Sequence, residues 1–180
     1  MRRKVRVVAI VLWTVALLGV PGQGHLAPEP KDAKPPRASG AQEVEVIAVV
    51  TDQTTGQPTV MLQGKRDRRL FSMAIDPAQM VAIAVPLQGI TPPRPLTHDL
   101  FLTLFGRLKV TLVRAVITDL RDDVYYATVY LRAGSTELEL DARPSDAIAL
   151  AIRAKVPVLV EERVFDKGGG GDVRPRRPSI

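Results

Sequence analysis

The chain has 180 residues, 46% of them hydrophobic, with a formal net charge of +6, a size and balance suited to one globular domain with a real core. It has no cysteine, which excludes disulfides, thiol nucleophiles, cysteine-ligated zinc and iron–sulfur clusters. Histidine occurs only as His25 and His98, which argues against any mechanism that needs two imidazoles.

Residues 1–24 read as a signal peptide. Arg2, Arg3, Lys4 and Arg6 form a basic start, Val7 to Val20 form an apolar stretch, and "PGQG" supplies small residues for cleavage. Fourteen apolar residues make a helix of roughly 21 Å, shorter than the ~30 Å hydrocarbon core, so cleavage is expected in preference to a lasting membrane span. The alternative is an uncleaved helix that anchors the protein in the membrane. Either way the domain is expected outside the cytoplasm, periplasmic or extracellular.

The charge changes once that segment is set aside. It holds four basic and no acidic side chains, so +6 becomes +2 beyond residue 24. A Pro/Ala-rich linker (25–42) carries +1, and a Gly-rich basic tail counted from Asp166 carries +2, leaving −1 for residues 42–165. That stretch has no global electrostatic footprint for nucleic acid.

The folded part, residues 43–166, contains an internal repeat offset by 67 positions. "AVVTD" (48–52) matches "AVITD" (115–119), and "DPAQMVAIA" (76–84) matches "RPSDAIALA" (143–151). Each half reads as three strands and a helix. In the first, "TVMLQ" alternates and "RLFSMAI" follows a basic turn, "KRDRR" (65–69), read as a hairpin loop or a phosphate contact. An extra helix lies between the halves, with Thr97 as N-cap, Asp99 at the positive end of the dipole, and Leu100, Leu104, Leu108, Phe101 and Phe105 as its apolar face. The second half gives "VTLVRAVITDL", the turn "RDD", "VYYATVYLR" and "TELELD" as a meander. Pro144 suits the first turn of the helix that follows, and "VPVLVEERVF" reads as a returning strand. The expected fold is α+β: a duplicated β-β-β-α unit with an antiparallel or mixed sheet.

"PRPLTHDLFLTLFGRL" (93–108), "VYYATVYL" (124–131), "LDARPSDAIALAIRAKVPVLV" (140–160) and "EERVF" resemble the bifunctional nuclease domain family over essentially the whole folded part. The resemblance implies an α+β domain and nuclease activity, the family's name coming from plant members described as degrading both DNA and RNA. One position departs from the bacterial pattern: Gln79 stands where a glutamate is usual, and Asp76 lies three residues earlier.

Nuclease chemistry in a chain without cysteine and with one histidine in its core points to Mg²⁺ or Mn²⁺ held by carboxylates. Asp141 and Asp146 are the candidate metal ligands. His98, Asp99 and Asp146 are the candidate catalytic groups, with His98 as general acid or base. Arg94, Arg143 and Ser145 are the candidate substrate contacts, the last two where a helix N-terminus offers free N–H groups. From spacing alone the favoured reading is a helix cap, with Asp146 offsetting the dipole and Ser145 satisfying first-turn donors. Glu137 and Glu139 read as a solvated strand face. The expected partner is DNA or RNA. A non-catalytic binding or assembly module is the alternative, its sheet edges suited to a homo-oligomer.

Overall fold

Alternating residues in the strand segments build a seven-stranded mixed sheet. β1 (Gln42–Thr51), β2 (Pro58–Gly64) and β3 (Leu70–Ala74) form one antiparallel meander; β4 (Val110–Arg121), β5 (Val124–Ala133) and β6 (Thr136–Ala142) form the other. Helix α1 (Pro77–Leu87) follows the first meander and α3 (Pro144–Ala154) the second, with α2 (Thr97–Arg107) between the halves. The offset of 67 residues carries the bounds of α1 onto those of α3. The computed structural model describes residues 40–53 and 55–168.

The meanders are joined through β7 (Val158–Val160). It lies between β1 and β4, antiparallel to the first and parallel to the second, giving the order β3-β2-β1-β7-β4-β5-β6. The expected final strand therefore ends at Val160. Its continuation, Glu162–Lys167, is helix α4, which buries Val164 and Phe165. Phe165 meets the edge of Phe71, a contact that a straight strand would not reach from the middle of the sheet. Central β4 is buried continuously over Arg114–Ile117; successive residues point to opposite faces, so both faces are covered there. Asp122 and Asp123 both adopt positive φ, the conformation a two-residue hairpin between twisted strands requires.

Helix α3 is the centre of the packing. Ala147, Ile148, Ala149 and Ala151 are fully buried, and the helix contacts α1, α2, β4 and β5. Small residues let these neighbours approach closely. Pro144 occupies its first turn, where a missing N–H costs nothing, and Lys155 ends it in the left-handed conformation.

Helix α2 differs from expectation in two ways. Its N-cap is Leu96 rather than Thr97, and the Asp99 carboxylate accepts the Leu96 backbone N–H at 2.8 Å. Its leucine stripe also faces outward: Leu100, Leu104 and Leu108 are at least half exposed, while Leu102 and Phe105 pack on the core. Residues 98, 102 and 105 share one face at helical spacing. Contacts of His98 and Asp99 with α3 turn that face inward, and the leucines are left on the other.

The boundary residues extend the folded part by one at each end. Gln42 opens β1 and is buried, and Lys167 closes α4 with its ammonium on Asp119 at 2.8 Å. The expected signal peptide, most of the linker and the tail beyond Gly168 lie outside the described residues. Among the described residues no helix is long and apolar enough to cross a membrane.

Candidate active site

The first turn of α3 and the first turn of α2 face each other, and the polar side chains of "RPSD" and "LTHD" meet between them. His98 Nε2 lies 3.1 Å from Asp146 Oδ1, and Arg143 Nε donates to Asp146 Oδ2 at 2.7 Å. Both carboxylate oxygens are thus held by side chains, and Asp146 serves as the hub between two helices. The hydrogen bond from Arg143 to Asp146, followed by the attraction of that carboxylate, raises the Arg143 pKa above its already high value. His98 is 13% exposed at its side chain and Arg143 64%, so the imidazole is fixed while the guanidinium reaches solvent.

This trio sits at the polar end of a cleft of about 750 Å³. Asp141, exposed at the end of β6, is on the same rim. The remaining wall is apolar, with Phe101 and Phe105 from α2, Val129 from β5 and Leu140 from β6. Gln79 of α1 also lines the cleft; its Oε1 accepts the Asp76 backbone N–H at 3.2 Å.

The other candidates fall elsewhere. Asp99 turns away from the cleft to cap α2 and to bind Arg153, whose Nε lies 2.8 Å from Asp99 Oδ1. Arg94 is exposed in the bend before α2 and does not line the cleft. Ser145 is buried and lines a smaller neighbouring cleft of about 300 Å³, to which Arg143 and Gln79 also contribute. Glu137 is not simply solvated: both its oxygens accept from Arg114, which stacks on Tyr130 with 3.7 Å to the ring centre. In "KRDRR", Lys65 pairs with Glu43, Arg66 with Glu162, and Arg69 with Asp67 and Glu162, which neutralises much of the hairpin's charge.

Three residues have roles that the sequence did not indicate. Phe101 and Phe105 read as core, and only the rotation of α2 shows that they line a cleft. Arg153 ties three helices together, donating from Nη1 to the carbonyls of Ala82 at 2.6 Å and Ala149 at 3.0 Å while its Nε engages Asp99. The available signal was a lone arginine at the end of an apolar helical run.

The donor set does not fit a preformed divalent-cation site. Among the described residues no group of three or more His, Asp or Glu side chains is arranged to hold a metal, and both Asp146 oxygens are engaged.

A model of the bifunctional nuclease domain matches residues 60–170. Two uncharacterized proteins of Mycobacterium tuberculosis, from strains CDC 1551 and H37Rv, are 36% identical over 127 residues, covering 71% of this chain and 76% of theirs. Bifunctional nuclease 1 of Oryza sativa subsp. japonica is 33% identical over 98 residues, which is 53% of this chain and 30% of the rice protein. With the matched region spanning most of β2, then β3, α1, α2, the whole second meander, α3 and the His98–Asp146 pair, the chain belongs to the bifunctional nuclease domain family.

Proposed function

We propose that the protein hydrolyses phosphodiester bonds of DNA and RNA with low sequence specificity, using His98 as the proton-transfer group. The observation that carries this reading is the Arg143–Asp146–His98 arrangement at the polar end of a cleft. The similarity to bifunctional nuclease 1 of rice supports it. A carboxylate can only accept, so the Nε2 bonded to Asp146 carries the proton, and in the neutral imidazole Nδ1 keeps its lone pair. Nδ1 then takes a proton from the attacking water as its oxygen bonds to phosphorus, and returns it to the leaving oxygen as the P–O bond breaks. Such a group contributes roughly 10²- to 10⁴-fold. Arg143, whose Nη1 lies 3.9 Å from Asp76 Oδ2 at a solvent-exposed position, offers its outer N–H donors to the phosphate oxygens.

The test is digestion of labelled single- and double-stranded DNA and RNA by the full chain, with Mg²⁺, Mn²⁺ or EDTA, beside His98→Ala. Cleavage that survives EDTA and is lost in the folded variant supports the reading. Equal cleavage by His98→Ala refutes it, and strict dependence on added cation would restore the metal role expected of Asp141 and Asp146. The basic and apolar N-terminal segment supports export, with the reaction periplasmic or extracellular; the mature N-terminus of the secreted protein tests that.

A second reading, a homo-oligomeric assembly module, is favoured by the outward leucines of α2. Sedimentation of the full chain and of Leu104→Gln distinguishes it: a monomer in both would dismiss the module.

A further inference from the structure

We propose that the apolar part of the cleft holds an unpaired nucleobase beside the scissile phosphate, so that the substrate is single-stranded nucleic acid. This rests on reading the cleft's polar end as the phosphodiesterase site, and it adds a chemical reason for strand state.

The cleft joins two chemistries that a nucleotide also joins. At one end Arg143 presents a solvent-reaching guanidinium beside His98. The adjoining wall is Phe101, Phe105, Val129 and Leu140. The two phenylalanines stand with ring centres 6.2 Å apart and planes tilted by 55°, so they offer faces in different directions rather than one closed stack. Phe101 remains 48% exposed, an apolar ring left uncovered next to charged groups. Aromatic faces of this kind bind bases without sequence preference, because every base has a π-face.

The volume, about 750 Å³, lies in the range that encloses one small ligand and is far too small for a duplex. In a duplex the base flanking the phosphate is stacked and paired, so reaching this wall requires extruding it, at an energetic cost that a single strand avoids. Gln79 adds a polar contact suited to a base. Its Oε1 is taken by the Asp76 N–H, whereas its Nε2 has no hydrogen-bond partner among the described residues, leaving a donor for a base carbonyl or ring nitrogen.

A phospholipid also combines phosphate with apolar surface. It fits less well, because a cleft of about 750 Å³ has room for one planar group and its phosphate rather than for a pair of acyl chains.

The experiment is fluorescence anisotropy with the full chain, its cleavage silenced by His98→Ala in this and every variant below, using a labelled thymidine oligonucleotide, its duplex, and the same strand with abasic sites. Binding is read without turnover, so it stands apart from whether the protein cleaves. Sedimentation with phosphatidylglycerol vesicles forms a further arm. The proposal expects the single strand to bind about tenfold tighter than the duplex or the abasic strand. Phe101→Ala should lose about that factor and Phe101→Trp retain it. Leu104→Ala, exposed on the same helix but outside the cleft, should bind as wild type. Equal affinity for the three nucleic acids, no binding to any, vesicle binding that depends on Phe101, or a Phe101→Ala variant that binds normally would each overturn it. Cleavage of duplex and single strand at equal rates by an active enzyme would overturn it while leaving the nuclease reading intact.

Discussion

Replacing Arg153 by methionine keeps the volume and removes the charge that fastens α2. The helix contributes no fully buried side chain, so its attachment depends on Leu102, Phe105 and two polar contacts, His98–Asp146 and Asp99–Arg153. Arg153 is 7% exposed at its side chain and Asp99 34%. Removing one partner of a buried pair costs ~3–5 kcal/mol, because the other is left desolvated. Partial exposure of Asp99 and its remaining bond to the Leu96 N–H lower this, while the carbonyls of Ala82 and Ala149 lose a donor. The expected loss is about 3 kcal/mol, or a fall in Tm of roughly 10 °C for a domain of this size. Urea unfolding followed by far-UV circular dichroism reads the stability. A double-mutant cycle with Asp99→Asn should return a coupling of at least ~1 kcal/mol. A loss under ~1 kcal/mol with no coupling would refute the claim that this pair holds the helix carrying His98.

The remaining predictions concern packing and acid stability. A Cβ at Gly64 would stand 2.6 Å from Asp67 Oδ1 and 2.6 Å from Gln42 Oε1, so Gly64→Ala should cost about 1–3 kcal/mol by urea unfolding. Burial pushes the Asp67 carboxyl up, but hydrogen bonds from the Arg69 backbone, Gln42 and the Arg69 guanidinium outweigh it and hold the pKa down to about 2. Hydrogen bonds from Lys167 and then Arg121 likewise pull Asp119 well below the usual carboxylate range. A depressed folded pKa adds stability that is complete above the unfolded value near 3.8 and lost as pH falls through the folded one. The denaturation midpoint should therefore fall from about pH 4 towards pH 2, and Asp67→Asn should flatten that slope; an unchanged slope would discount the Asp67 contribution.

Local pattern and tertiary position were unequally legible. Strict alternation in "TELELD" and the β-branched runs of β4 and β5 announced strands because side-chain period is a property of the segment itself. Pro144 marked a helix start for the same reason. The placement of β7 was not visible: three residues pair with β1 and β4, which are far from it in sequence, and one of those pairings is parallel. The α4 segment was too short for its period to distinguish helix from strand, and packing on Phe71 decided it. In α2 the leucine stripe pointed to the core, but Asp99 and His98 set the rotation through partners about fifty residues away. The same contacts explain the site. Arg143, Asp146 and His98 were legible as residue types in motifs, whereas the separation of Asp99 from Asp146, and the exchange of a cap for an interhelical hub, depend on how α2 meets α3.

The central claim is that Asp146 orients His98 for proton transfer to and from a phosphodiester. Rates of cleavage of a labelled single-stranded oligonucleotide by the full chain and by Asp146→Asn, both confirmed folded by circular dichroism, test it most directly. The account predicts cleavage by wild type and a loss of about 100-fold in the variant, because an amide donating to Nε2 favours the wrong tautomer. Wild-type activity in a folded Asp146→Asn, or no cleavage by the wild type, would contradict it.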